Sequence, residues 1–347
     1  MKPAATPTPR NTRASRRGSG GITLADVARL AGVSAITVSR ALNTPAVVSA
    51  DTLAQVRGAV ARTGYVPNLL AGGLASNRSR LVAALIPTIA GSVFLETVQS
   101  LTDTLADAGL QLMLGQSGYT GAREDALIDA IVARRPDGIV LTGILHSAEG
   151  RKRLLASGIP VVETWDLTPT PIDMLVGFSH KKVGAQVASW LHGKGVRKPA
   201  ILTADDHRAG LRRAGFEARM AELGVKKIPV CVVAAPSTLG NGRSGLRSLL
   251  AGRAKVDAVF CSSDVLAHGV LTEAQALGVR VPQDLAVVGF GDMAFSAQTH
   301  PALSTVHIDG AAIGAQAARF ILDRIADRDP GPRVRDIGFS IIDRETA

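Results

Sequence analysis

The 347-residue sequence predicts a protein of two parts. One is an N-terminal all-α head built on a helix-turn-helix; the other is an α/β body of two lobes, each a parallel sheet with helices on both faces. Three observations predict this. Positive charge is concentrated at one end: residues 1–80 hold eleven Lys and Arg against Asp26 and Asp51, which is +9 of the chain's total +10. Within that end, cap residues and glycines recur at the spacing of short helices. Beyond residue 80, short apolar runs alternate with helix-length segments, the pattern of parallel sheets covered on both faces.

Composition narrows the class further. Hydrophobic residues make up 46% and charged residues 20%, which is globular material. Aromatics are only 3%, so the cores must come mainly from Ala, Val, Leu and Ile. Cys231 and Cys261 both lie in apolar runs and lack disulfide-framework or metal-site spacing, so they read as reduced core residues. No run approaches the roughly 18 apolar residues of a membrane span. The basic N-terminus has no apolar stretch behind it, unlike a secretory signal, and the expected compartment is the cytoplasm. A basic head on a nearly neutral body suggests that the head grips a polyanion while the body does another job.

Taken in order, residues 1–21 are rich in Pro, Thr, Ser, Gly and Arg and cannot bury a core, so a disordered basic tail is expected. Thr23 followed by Asp26 resembles a capping box, with Val27 and Leu30 on one face of the helix it opens. Gly32-Val33 breaks that helix, and Ser34 is a natural N-cap for a second reaching about Leu42. Ser49 opens a third, which ends near Gly64. A tight turn between the first two helices describes a helix-turn-helix, and the N-terminal residues of its second helix meet base edges in the major groove. Those residues are Ser34, Ala35, Ile36, Thr37, Ser39 and Arg40. Arg40 is suited to a bidentate contact with guanine. Nine apolar runs then read as strands: Leu81–Pro87, Leu110–Leu114, Gly138–Leu141, Pro160–Thr164, Met174–Phe178, Ala200–Thr203, Ile228–Val233, Asp257–Cys261 and Leu285–Phe290. Nine strands over about 260 residues are too many for one ordinary sheet, so two lobes are expected, with a boundary near residues 178–183.

The stretch Thr23-Leu-Ala-Asp-Val-Ala-Arg-Leu-Ala-Gly-Val-Ser-Ala-Ile-Thr-Val-Ser-Arg-Ala-Leu-Asn43 closely resembles the head of lac-repressor/galactose-repressor family regulators, as does Gly64-Tyr-Val-Pro-Asn68. Further along, Pro136-Asp-Gly-Ile-Val, Gly158-Ile-Pro-Val-Val, Ser263-Asp264, Val281-Pro282, Val287-Val-Gly-Phe and Pro301-Ala-Leu-Ser-Thr-Val resemble that family's effector-domain landmarks, in the right order. The resemblance implies a head at 22–66, a hinge helix or linker at 67–79, and a periplasmic-binding-protein-like body at 80–347. It places residues 80–179 and 308–328 in lobe 1, and 180–307 and 329–347 in lobe 2. It adds Thr23, Asn43, Tyr65 and Asn68 to the DNA contacts. Ala35 and Ile36 fall on its main base-reading positions; lacking hydrogen-bonding groups, they suit thymine methyls and shape. Leu74 matches the leucine that wedges into the minor groove and kinks the duplex.

For the body, the resemblance implies a small-molecule effector held between the lobes. Arg212 falls on the family's ligand-binding arginine and Phe94 on an aromatic of the pocket floor; Asp166 lies near a contact position with Glu163 close by. Ser263 replaces a polar residue ahead of Asp264, whose carboxylate either caps the next helix or meets ligand. After Phe290 the family usually places an aspartate that binds sugar hydroxyls; here stands Gly291, with Asp292 one later. Losing a carboxylate while keeping Arg212 favours an anionic ligand. Together with Pro87-Thr-Ile-Ala-Gly-Ser-Val-Phe94, Val161-Val-Glu-Thr-Trp-Asp166 and Val176-Gly-Phe178, this is most similar to the gluconate-operon repressor branch. The implied partners are a near-palindromic double-stranded operator, a sugar or sugar-acid effector and a second copy of the chain, with dimer or tetramer left open. Neither a cofactor nor a membrane is implied.

Two other classes compete. Gly240-Asn-Gly-Arg-Ser-Gly245 matches the dinucleotide-binding glycine pattern, but no strand immediately precedes it and no ribose-binding acid follows where it should. The seven histidines show no metal-ligand spacing and no serine sits in a nucleophile elbow, so catalysis is not expected. Asp205-Asp206-His207-Arg208 is the only polar cluster resembling chemistry, either ending a strand at the cleft mouth, within reach of a ligand, or lying in a solvated loop. A secreted sugar-binding protein would share the body fold but not the basic head.

Overall fold

The computed structural model describes residues 21–66, 78–89, 92–118, 121–145, 147–252 and 255–347. The chain divides into two units, Met1–Asn77 and Arg78–Ala347. What the sequence suggests for the N-terminal tail, for Asn68 and for Leu74 lies outside the described residues.

In the first unit, α1 (Leu24–Ala31) starts at Thr23, whose side chain and that of Asp26 cap each other's backbone, and it stops at Gly32 in the left-handed conformation (φ 67°). Ser34 caps α2 (Ala35–Asn43) through the Thr37 N–H, and Ser49 caps α3 (Ala50–Thr63) through the Thr52 N–H. Each cap satisfies an orphan donor of the first helical turn. Val27, Ala28, Val38, Ala41, Val56 and Ala59 form the small buried core. Leu30 does not join them and is 44% exposed. In so short a helix the buried stripe passes through the adjacent pair Val27 and Ala28, turning Leu30 outward.

The second unit holds two six-stranded sheets. Lobe 1 is built from β1 (Leu81–Ile86), α4 (Leu95–Asp107), β2 (Gln111–Gln116), α5 (Gly121–Val132), β3 (Gly138–Thr142), α6 (Ala148–Ser157), β4 (Val161–Thr164) and β5 (Met174–Gly177). Lobe 2 follows with α7 (His180–Gly193), β6 (Pro199–Ala204), α8 (His207–Glu222), β7 (Val230–Val233), α9 (Leu239–Ala251), β8 (Ala258–Cys261), α10 (Asp264–Leu277), β9 (Ala286–Phe290) and β10 (Ser304–His307). The chain then returns to lobe 1 with α11 (Gly310–Ile325) and β11 (Val334–Asp336), and crosses once more to β12 (Ser340–Ile342). Strand order is β11-β5-β4-β3-β1-β2 in one sheet and β12-β10-β9-β8-β6-β7 in the other. Three connections, at 178–179, 308–309 and 337–339, therefore join the lobes.

Two expectations need correction. Residues 329–347 do not all belong to lobe 2, because β11 pairs with β5 in register Val334 to Leu175, inside lobe 1. The sheets are also not wholly parallel: β12 runs antiparallel to β10. Strands β11 and β12 escaped the sequence reading because they are three residues long and lie at sheet edges, where no continuous apolar run is required. Strand β10 is interior, but its Ser-Thr-Val-His sequence is mostly polar and makes no apolar run.

One packing feature positions the cleft. Helices α7 and α8 touch backbone to backbone: a Cβ on Gly184 would lie 1.9 Å from the Arg212 carbonyl oxygen, and one on Gly215 would lie 2.1 Å from that of Lys181. Only glycine permits this approach, and it seats Arg212 beside the start of α7. The literal glycine pattern at 240–245 lies inside α9, where Gly242 and Gly245 make room for Leu266 and Leu202. It is a packing motif.

Candidate functional site

The head presents α2 with one face buried and the other open. Val38 and Ala41 point into the core, while Ala35, Arg40 and Asn43 are exposed and Ile36 is 66% exposed. A large apolar side chain left in water on a helix of nine residues marks a contact surface rather than a core position. Ser34 and Thr37 share a hydroxyl hydrogen bond of 2.8 Å, and Ser39 accepts from Asn43 at 3.3 Å. The Thr23 hydroxyl is committed to the cap, donating to Asp26 at 2.6 Å. That bond, the backbone bond from Thr23 and the nearby Arg29 hold the Asp26 carboxyl below its usual range. Tyr65 is half-buried against the head core.

In the body, a cleft opens between the two sheets at the C-terminal ends of their strands, where open α/β folds place ligands. Phe94 and Trp165 of lobe 1 and His180, Arg208, Arg212 and Ser263 of lobe 2 line it. Arg212 is only 5% exposed. Its Nη2 donates to the Ser262 carbonyl at 2.9 Å, and its Nη1 lies 3.0 Å from His180 Nδ1. The guanidinium also sits 3.9 Å over the Phe290 ring. Among the described residues its Nε–H is buried without a hydrogen-bond partner. Burial pushes the Arg212 pKa down to about 10, although Asp206 and Asp166 favour its charge. Arg208 reaches across the cleft, donating to the Thr142 carbonyl at 3.3 Å and lying 5.1 Å over the Phe94 ring.

His180 Nε2 is 2.8 Å from the main-chain carbonyl of Trp165. A carbonyl only accepts, so Nε2 carries the proton and Nδ1 is left to accept from Arg212. Burial first, and the adjacent Arg212 second, hold the His180 pKa well below 6.5, so the ring is neutral.

The structure separates the residues that the sequence had grouped. Phe94, Arg212 and Ser263 line the cleft, and Asp166 lines its mouth beside Asp206 and Arg208. Glu163, Asp264 and Asp292 do not. Glu163 is fully buried inside lobe 1, accepting the N–H groups of Ile172 at 2.8 Å and Leu145 at 3.3 Å; burial raises its pKa. Asp264 neither caps its helix nor lines the cleft: Ser263 caps α10, and the Asp264 carboxylate accepts from Met293 N–H (2.8 Å), Ser296 (2.6 Å) and Thr305 (2.6 Å). Asp292 is bound by Arg344 at 2.7 Å and lies 3.1 Å from His307. Glu163 lies inside β4 and Asp264 and Asp292 follow β8 and β9 closely, and only the tertiary packing decides whether each carboxylate turns outward to the cleft or inward to the protein. His180 and Ser262 went unrecognised. Their one signal was position, immediately after β5 and β8, the strand ends that face the cleft.

A helix-turn-helix with an open reading face, joined in one chain to a bilobed body with a cationic cleft, defines a ligand-responsive DNA-binding regulator. Comparison with known proteins places it. Residues 23–68 match the family of bacterial regulatory proteins of the lacI type, and residues 188–347 match a periplasmic binding protein-like domain. The transcriptional regulator GntR of Pseudomonas aeruginosa is 37% identical over 332 residues, covering 95% of this chain and 97% of its own. GntR of Escherichia coli K12 is 31% identical over 319 residues, covering 92% and 96%. A crystal structure of a LacI-family transcriptional regulator from Silicibacter pomeroyi superposes with a TM-score of 0.88 at 32% identity, covering 94% of this chain and 99% of that one. The chain belongs to the lacI family of DNA-binding transcriptional regulators. These are not enzymes. Among the described residues no helix is long and apolar enough to cross a membrane.

Proposed function

We propose that the chain is a repressor that holds a near-palindromic operator as a homodimer and lets go when a sugar acid of the gluconate type enters the cleft. One observation carries the ligand class: the buried Arg212 guanidinium with an unsatisfied Nε–H. A buried donor without an acceptor is costly, and a carboxylate or phosphate on the ligand would satisfy it with a charge-assisted hydrogen bond. Gly291 (φ 124°) brings no carboxylate to repel that anion, and Asp292 beside it is engaged elsewhere. Two reading heads set one helical turn apart need two chains, hence the dimer. Ser34, Ala35, Ile36, Thr37, Ser39 and Arg40 face the major groove, Thr23, Asn43, Tyr65 and Asn68 add contacts, and Leu74 wedges into the minor groove. Ligand acts only through unequal affinity for the operator-bound and free states.

The test is calorimetric titration of the full chain with gluconate and with glucose at pH 6–8. Gluconate should bind at least tenfold tighter, and tighter binding of the neutral hexose overturns the anionic assignment. On a duplex selected by the protein, gluconate should weaken binding by about 1–3 kcal/mol. Strengthening would make the ligand a corepressor.

A further inference from the structure

His180 is 2% exposed and stands where the chain first crosses between the lobes. Both of its ring nitrogens are used by the protein: Nε2–H donates to the lobe 1 carbonyl of Trp165, and Nδ1 accepts from lobe 2's Arg212. No nitrogen is left for a ligand, although the ring borders the cleft. Phe178 and Phe290 pack on the imidazole with centroids 4.7 and 6.1 Å away, fixing its orientation. Trp165 has φ 65°, a left-handed conformation that bulky side chains rarely adopt. It is held there from two sides: by His180, and by its indole Nε1–H, which donates to Thr97 Oγ1 at 3.0 Å. Thr97 donates in turn to the Gly310 carbonyl at the start of α11 at 2.9 Å. A continuous series of hydrogen bonds thus runs from Arg212 in lobe 2 to the α4–α11 pair in lobe 1.

We propose that His180 is the positioning residue of the effector site: its neutral imidazole, spanning the lobes, orients the Arg212 guanidinium so that the Nε–H is presented to an anionic ligand and ties that guanidinium to lobe 1 through Trp165. The ligand part of this inference rests on the sugar-acid reading above; the orientation part does not. A protonated ring would offer Arg212 a donor instead of an acceptor and break the series. So would the other tautomer.

Two measurements on the full-length protein test it. Nitrogen-15 NMR of the ligand-free chain, with the His180 signal assigned by its loss in His180→Gln, should show a neutral Nε2–H ring at pH 6. An Nδ1–H or protonated ring overturns the proposal. Titration with gluconate should show affinity falling at least tenfold in His180→Phe, which keeps an aromatic ring but has no acceptor. His180→Gln, which offers one acceptor and one donor, should recover most of that loss. Wild-type affinity in His180→Phe also overturns the proposal. If the wild-type protein takes up no gluconate, the sugar-acid reading fails by itself. The positioning role is then decided by the Arg212 Nε–H signal of the free protein: it should move in His180→Phe and return in His180→Gln, and a signal that stays put refutes the role.

Discussion

Replacing Arg212 by Met should separate ligand binding from stability. The substitution keeps a long apolar stem against Phe290 and removes the charge. The fall of the arginine pKa from its ordinary value to about 10 means that its surroundings, burial above all, disfavour the cation by about 3 kcal/mol, at about 1.4 kcal/mol per unit. Relief of that penalty favours the variant. Against it stand the His180 Nδ1 and Ser262 carbonyl, each losing its donor at about 1–2 kcal/mol, and the loss of the cation over the Phe290 ring, about 1 kcal/mol. The opposing contributions nearly cancel, so chemical denaturation should find Arg212→Met within about 2 kcal/mol of the wild type. Gluconate binding, by contrast, should weaken at least about 100-fold, since charge-assisted hydrogen bonds contribute about 1.5–3 kcal/mol each. A stability loss above about 4 kcal/mol would make Arg212 a structural keystone, against this reasoning. Gluconate affinity within threefold of the wild type would show that the anion sits elsewhere.

Three further outcomes follow from the same geometry. His180 has a folded-state pKa below its ordinary 6.5, so its contribution to stability is complete above pH 6.5 and is lost as pH falls and the unfolded chain takes up the proton. Arg208 and His207 of α8, facing the ring with Arg212, act in the same direction. Denaturation midpoints followed from pH 7.5 to 5 should therefore fall more steeply for the wild type than for His180→Gln, by up to about 1.4 kcal/mol per pH unit; parallel profiles would contradict a buried neutral ring. Asp264→Ala strands three buried donors and should cost about 3–5 kcal/mol, read as a lower thermal midpoint. A loss below about 1 kcal/mol would show that the clasp is dispensable. Arg40→Ala should weaken operator binding by about 1–3 kcal/mol and relax preference at one base pair, measured by anisotropy on substituted duplexes. A uniform loss across all sequences would instead make Arg40 a phosphate contact.

How legible the molecule was depended on the range of the interactions involved. Caps at Thr23, Ser34 and Ser49 and the stop at Gly32 act over three or four residues, so the three head helices could be read directly from the chain. Seven of the nine strands read from the chain are central in their sheets and were legible because a strand buried on both faces must be apolar throughout. Strands β2 and β7 lie at sheet edges and showed only as short apolar runs. The choice among carboxylates was not legible. Glu163, Asp166, Asp264 and Asp292 look alike in sequence, each just beyond or at the end of an apolar strand. Their fates are set by partners far along the chain: Thr305 for Asp264 and Arg344 for Asp292.

The amino-acid sequence by itself determined the division of labour, because net charge, helix caps and apolar runs are local properties that need no fold to be counted. The tertiary structure alone decided which polar groups face the cleft. Whether a buried charge meets a backbone, a partner or open space depends on loops closing over it, and those are brought together only when both sheets are built. Arg212 and His180 show this most clearly: separated by 32 positions, they meet because two glycines let α7 and α8 touch.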